Sequence, residues 1–288
     1  IVSCWQTDHQ EGGLIEIEIE LLDIENNIYN RLGGLNVSSR LEGKNVMMVG
    51  LGSVGSTAAI QLAKSGVTDF TLIDPDVVKM HNVIRHACGL NDIGRYKVDA
   101  VAERLRDINP SIGIHQMVQD CVDAYDDNEM MFNEADIFIV STDTADSRSF
   151  INHLSVELNK PSVHVSLHDR ARTGSIYRII PNVTGCKHCI GNGIWGSEKE
   201  PGTLDYSDAP HERDVVFQPG LDTDISLVTM IGVRMSIDTL LNPDSEVAPT
   251  LGSNFIHWNG YPQDGRSMLL KTDGIGIPKD DNCLVCGD

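Results

Sequence analysis

Apolar positions along this chain fall into two rhythms. Asn45-Val46-Met47-Met48-Val49 is a short, nearly unbroken apolar run, the pattern of a strand buried on both faces. From Ser56 to Ser65 the apolar residues recur at helical spacing. Asp69-Phe70-Thr71-Leu72-Ile73-Asp74 then reads as a second strand ending in a carboxylate. Strand, helix and strand in that order predict a βαβ unit. Val98 to Ile108 predicts an amphipathic helix stopped at Asn109-Pro110, because proline lacks an N–H and crowds the residue before it. Further strands are predicted over Ile112 to Val118, Ala135 to Val140 and Ser162 to Leu167, with a helix from about Asp146 to Leu158. This alternation predicts an α/β fold with a doubly wound, mostly parallel, Rossmann-like sheet.

Beyond Thr173 the rhythm changes. Ser175 to Ile180 predicts an antiparallel strand, the start of an antiparallel extension. Gly191 to Gly220 is polar, rich in Gly and Pro and without periodicity, which predicts a mobile crossover loop. Asp224 to Leu241 predicts a helix, weakened by Gly232 in its interior. Phe255 to Leu270 has room for one or two strands. At the other end, Leu14 to Leu22 alternates apolar residues with Glu16, Glu18 and Glu20, the pattern of a half-buried or edge strand. The chain therefore divides into an N-terminal segment, 1–40, read as the end of a preceding domain plus a lead-in, and a main domain, 41–288.

Composition narrows the function. The 22 Lys and Arg against 42 Asp and Glu leave a net charge of −20, which excludes general electrostatic binding of nucleic acid and favours a basic protein partner. The hydrophobic share of 41% is that of a globular protein. No apolar run approaches the roughly 18–20 residues of a membrane span. The opening Ile1-Val2-Ser3-Cys4 carries no secretory signal and no Met, and reads as part of a longer protein. Seven cysteines include two Cys-x-x-Cys pairs, Cys186/Cys189 and Cys283/Cys286. Four thiolates on two knuckles suit a closed tetrahedral Zn²⁺ site, structural rather than catalytic, in a reducing, cytoplasmic setting. His188, inside the first knuckle, is a competing ligand.

Candidate chemistry centres on Gly50-x-Gly52-x-x-Gly55, which stands between a predicted strand and a predicted helix. There Gly50 permits the tight turn, Gly52 admits a phosphate to the backbone, and Gly55 lets helix and strand pack closely. Ser53 lies within the same turn, and the N-terminus of the helix that follows has free N–H groups that favour an anion. Asp74 stands where a carboxylate would accept from ribose hydroxyls. NAD and ATP both fit these features. Arg85 and Lys97 add two cations near the same crevice, which a triphosphate needs and a dinucleotide does not. Asp143, at the end of a later strand, can hold Mg²⁺ through water.

Together, Gly50 to Gly55, Asp74-x-Asp76, Asn82-x-x-Arg85, Lys97, Asp143 and both Cys pairs resemble the adenylation domain of the ThiF/MoeB/ubiquitin-activating-enzyme superfamily. The resemblance runs from about Tyr29 to the C-terminus. It includes Arg104 to Pro110 and Ser141-Thr142-Asp143. The run Asn82 to His86, with Pro219 to Ile225, is similar to prokaryotic members encoded beside conjugating-enzyme-like and JAMM-protease-like proteins.

The resemblance implies adenylation of the C-terminal glycine carboxylate of a ubiquitin-like protein, with release of pyrophosphate. It implies phosphate binding by Arg85 and Lys97, Mg²⁺ at Asp143, ribose at Asp74 and a phosphate or ribose contact from Asn82. Asp76 would support the metal or the turn. It also implies a homodimer in which an arginine ahead of the first strand reaches the partner's ATP; Arg31 is the candidate and Arg40 the alternative. A conjugating-enzyme-like protein is an implied further partner. Thioester formation stays open, because Gly191 to Asn282 holds no cysteine and the thiols outside the knuckles are Cys4, Cys88 and Cys121. Two other readings remain. One is an NAD(P)-dependent oxidoreductase, for which His164 and His168 are the available histidines. The other is a catalytically inactive scaffold half of an activating enzyme.

Overall fold

The computed structural model describes residues 4–7, 12–17, 28–35, 37–168, 170–195, 220–241, 252–260 and 271–287. Near the N-terminus, β1 (Cys4–Thr7) and β2 (Leu14–Ile17) pair antiparallel, so the alternating stretch is one arm of a two-stranded sheet. Its continuation to Leu22 lies outside the described residues. A 3₁₀ turn over Asn30–Leu35 and a short helix α1 (Ser38–Leu41) lead into the main sheet.

Five strands pair in parallel: β3 (Asn45–Val49), β4 (Asp69–Ile73), β5 (Gly113–Met117), β6 (Ile137–Val140) and β7 (Ser162–His168). The extension is antiparallel, through β8 (Thr173–Ile179), β9 (Phe255–Asn259) and β10 (Thr272–Ile275). The eight strands run in the order β10-β9-β8-β7-β6-β3-β4-β5. From β3 the chain winds outward through β4 and β5, then returns to β6 on the other side of β3. The strand order therefore reverses between β3 and β6, which opens a crevice at their carboxyl ends.

Both faces of the sheet are covered, which is why β3 reads as an unbroken apolar run. Val46 and Met48 point into a core shared with α2 (Ser53–Ser65), α3 (Lys97–Ile108) and α7 (Asp222–Leu241). Met47 and Val49 point the other way, towards α4 (Cys121–Glu134) and α5 (Ala145–Glu157). Gly232, the weak point of the α7 pattern, is a packing residue: a Cβ there would lie 2.4 Å from the Val165 side chain on β7.

Two helices escape the periodicity. In α4 the described buried residues are Cys121, Ala124 and Phe132, and the helix breaks at Asn128 (φ −142°, ψ 42°), so no continuous apolar stripe forms. In α6 (Lys187–Trp195) the helix starts inside the first Cys pair. It carries the chain past Gly191, where a loop is expected, so that loop begins no earlier than residue 196. Residues 196–219, the body of the expected crossover loop, lie outside the described residues, as do 261–270.

Candidate active site

Three turns meet at the crevice. The first follows β3, where Gly50 adopts φ +87°, the left-handed region that favours glycine. A Cβ on Gly55 would lie 2.0 Å from the Gly50 carbonyl oxygen, so only glycine lets the helix start this close to the strand. Gly52 differs: nothing lies within 4 Å of an added Cβ, and open space stands over it. Gly52 precedes the first turn of α2, with Ser53 as its first residue. The three glycines thus have separate roles, a turn, an open approach and a close packing.

The second turn follows β4. Asp74 is nearly buried and braces the glycine turn, accepting from Leu51 N–H at 2.7 Å and from Asp76 N–H at 2.9 Å. Lys97, the first residue of α3, lies 3.4 Å from Asp74 and 2.6 Å from Asp76. Burial works against its ammonium, yet the two carboxylates outweigh that and raise its pKa above the usual lysine value. Lys97 is therefore a fixed cation. Asp76 is 60% exposed, and its observed contacts hold Lys97 and the turn.

The third turn follows β6. Ser141 N–H donates to Val49 O and Ser141 Oγ to Gly50 O, both at 2.9 Å, which docks this turn on the glycine turn. Asp143 follows, an exposed residue in surroundings otherwise crowded by protein. It makes no hydrogen bond or ion pair to a described residue. Loss of solvation raises its pKa, while Lys97, Arg148 and Arg85 pull it back down. Such a carboxylate fits Mg²⁺, which binds through one or two carboxylates, water and substrate phosphate.

Arg85 lies in a loop fastened to this centre by His86, a residue that the sequence did not single out. His86 Nδ1 accepts from Cys88 N–H at 3.0 Å, which leaves the proton on Nε2 to donate to Leu51 O at 2.7 Å. Burial lowers its pKa, so it stays neutral beside Lys97. Ala87 N–H donates to Ser56 Oγ at 3.2 Å, tying the same loop to the first turn of α2. Asn82 takes part in the loop's own geometry, accepting from Lys79 N–H at 2.8 Å. Beyond Arg85 the loop borders a groove of about 390 Å³ lined by α2, α3 and the start of α7.

Arg31 is exposed on the 3₁₀ turn, at the far end of α2 from the glycines. Tyr29 fixes that position by donating from its hydroxyl to Ala63 O at 2.9 Å. Ten residues of helix separate Ser53 from Ala63, about 15 Å at 1.5 Å per residue. Arg40 donates to Leu241 O at the end of α7.

The cysteine pairs do converge. Sulfur separations are 3.9 Å for Cys186–Cys189, 3.6 Å for Cys186–Cys283 and 3.4 Å for Cys189–Cys286. A tetrahedral zinc with bonds of about 2.3 Å sets ligand sulfurs about 3.8 Å apart, so this buried quartet fits the ion. His188 approaches Cys283 Sγ at 3.5 Å from outside the quartet. The other described thiols, Cys88 and Cys121, are buried, and burial pushes each up to about 12. The two candidate histidines are engaged elsewhere. His164 is fully buried, neutral and stacked on Tyr177 at 4.5 Å, and His168 shares a 3.1 Å hydrogen bond with Ser175.

A family model described as the ThiF family matches residues 25–253. This chain belongs to the ThiF family. Among curated relatives it is 26% identical to ubiquitin-like modifier-activating enzyme 5 of Arabidopsis thaliana over 85% of the chain and 59% of that protein. It is 27% identical to the enzyme of that name from Dictyostelium discoideum, over 84% of the chain and 65% of that protein. The chain thus spans about three fifths of the length of these relatives. Among solved structures, E. coli MccB with ATP matches with a TM-score of 0.67 and 20% identity, covering 91% of this chain and 75% of MccB. That likeness agrees with the doubly wound sheet and its antiparallel extension. No helix among the described residues is long and apolar enough to cross a membrane.

Proposed function

We propose that this ThiF-family chain is an ATP-dependent adenylyltransferase of the ubiquitin-activating type, acting on the C-terminal glycine carboxylate of a ubiquitin-like tail. The observation that carries the reading is the accessible Asp143 carboxylate in a crevice where Lys97, Arg148 and Arg85 all act on it, beside the open approach at Gly52. This is a site for a polyphosphate and its metal. The relatives' name supplies the ubiquitin-like specificity.

In the reaction a carboxylate oxygen of the tail attacks the α-phosphorus of ATP. The bond from that phosphorus to the bridging oxygen breaks, and pyrophosphate leaves with its electron pair. No proton moves, so the protein's work is positioning and charge stabilisation. The α2 N-terminus with Gly50, Gly52, Ser53 and Gly55 receives phosphate, and Arg85 and Lys97 face the charge that develops on the leaving group. Asp74 takes the ribose through its remaining lone pairs, and Asn82 contacts ribose or phosphate. Asp143 holds Mg²⁺, which neutralises phosphate charge when bound. Zn²⁺ in the Cys186, Cys189, Cys283 and Cys286 quartet is structural.

Whether a thioester follows the acyl-adenylate stays open, because the Cys4 thiol lies outside the described residues. Cys88 and Cys121 are buried, protonated thiols and poor nucleophiles. A conjugating-enzyme-like protein is the partner we assign to receive the activated tail, directly or through a thioester. We assign 1–40 as a lead-in segment and 41–288 as the adenylation domain. We further assign a homodimer in which Arg31 serves the partner's site. Two observations support it: the roughly 15 Å between Arg31's turn and its own glycine turn, and the exposed Met80, Ile84 and Leu90 on the loop around Arg85.

Calorimetry with ATP and NAD, together with ATP–pyrophosphate exchange, tests the reading. We expect Mg·ATP binding without useful NAD affinity, and loss of exchange in Asp143→Ala with the fold intact. Arg85→Ala and Lys97→Ala should each cost about 2–4 kcal/mol of transition-state stabilisation. NAD binding in place of ATP, or undiminished exchange in all three variants, overturns it.

A further inference from the structure

The turn that presents Asp143 is held from both sides. Beneath it, Ser141 is hydrogen-bonded to the backbone of β3 and the glycine turn. Behind it stands Arg148, on the inner face of α5 and 2% exposed. Its Nη1 donates to Thr142 O at 3.2 Å, the carbonyl directly before Asp143. Thr144 closes the turn by accepting from Ser147 N–H at 3.3 Å and bonding Ser147 Oγ at 2.6 Å. Ser141, Thr142, Thr144 and Ser147 are therefore each tied to a neighbour, while Asp143 is exposed and makes no hydrogen bond to a described residue.

Burying a guanidinium costs several kcal/mol unless its charge and its donors are used. Here the guanidinium is spent on the turn that carries Asp143, through the Thr142 carbonyl.

We propose that Arg148 is a positioning residue: it fixes the Thr142–Asp143 turn so that the Asp143 carboxylate meets the metal of Mg·ATP. Arg148 itself touches neither metal nor nucleotide in this account. The proposal rests on the reading of Asp143 as the Mg²⁺ residue, and its test separates the two.

Affinity for Mg·ATP and for metal-free ATP is measured by calorimetry on the full chain, with thermal midpoint and zinc content as controls of the fold. Arg148→Gln should weaken Mg·ATP binding about tenfold to a hundredfold, the usual effect of losing an outer partner of a metal ligand. Metal-free ATP should bind within about twofold of the native chain. Arg148→Lys keeps the charge but not the planar fork, and should recover part of the loss. In an Asp143→Asn background, Arg148→Gln should add little, since the residue acts through that carboxylate.

A folded Arg148→Gln protein with native Mg·ATP affinity overturns the proposal, as does an equal loss for both forms of ATP or full additivity with Asp143→Asn. Should Arg148→Gln not fold, native Mg·ATP affinity in Arg148→Lys overturns it, and a selective loss of threefold or more supports it. If Asp143→Asn alone leaves Mg·ATP affinity unchanged, the failure belongs to the Asp143 assignment.

Discussion

Gly52 and Gly55 stand three residues apart in one motif and answer to different forces. An alanine at 55 would drive its methyl to 2.0 Å from the Gly50 carbonyl, and backbone cannot yield that much. We expect Gly55→Ala to destabilise the fold by about 3 kcal/mol or to prevent folding. An alanine at 52 meets no protein atom within 4 Å, so the fold should keep its stability while ATP affinity falls at least tenfold. Denaturant midpoints and ATP titrations of the two variants check this, and equal stability losses would show that Gly52 is a packing residue as well. His86 shows the limit of motif reading at this scale. Its neutral ring joins the Arg85 loop to Leu51, 35 residues back along the chain. A lone histidine in a loop gives no such signal in sequence, because the signal lies in the approach of two turns.

At the scale of elements, the C-terminal segment depends on the cysteine quartet. Gly185 N–H donates to Ile277 O at 2.9 Å, and the Asn254 side chain brackets Ile277 at 2.6 and 3.0 Å. Beyond these bonds, the sulfurs join the start of α6 to the last turn. We expect one zinc per chain. Chelation, or Cys283→Ser, should raise hydrogen exchange in α6 and in 271–287 while leaving β3, β4 and α2 protected. Metal analysis and peptide-resolved exchange check this, and a metal-free, fully protected segment would refute it. The quartet was legible in sequence because thiolate spacing is a chemical pattern. Its helix α6 was not, because a short helix seeded by a knuckle needs no apolar stripe. The broken α4 was missed for a related reason: few described positions face the sheet, and Asn128 resets the phase.

The whole molecule should carry a pH signature. Burial lowers the pKa of His86, His164 and His257 below 6.5, so the folded state binds fewer protons than the unfolded one. The stability of these neutral forms is present above the unfolded value and lost as pH falls below it. Each can contribute a slope of up to about 1.4 kcal/mol per pH unit. The urea midpoint should therefore fall between pH 6.5 and 5, and a flat profile would contradict the buried neutral forms. Assembly is tested at this scale too. If Arg31 acts in trans in a C₂ dimer, mixing Arg31→Ala with Asp143→Ala chains should restore part of the exchange activity. No recovery in a sample shown to contain mixed dimers would reject the trans role.

Sequence alone determined the parallel sheet, the glycine turn and the pairing of four cysteines that could hold a metal. Each is written in a local period or spacing that backbone geometry and ligand chemistry impose directly. Only the tertiary structure decided how Asp74, Lys97, Asp143, Arg85 and Arg148 converge. They come from separate loops and helices, and they meet because the strand order reverses between β3 and β6. It also decided that Asp76 holds Lys97, that Cys88 and Cys121 are buried, and that Arg31's turn stands at the far end of α2 from the glycine turn. Burial and charge pairing are properties of neighbours in space, and no spacing along a chain encodes them.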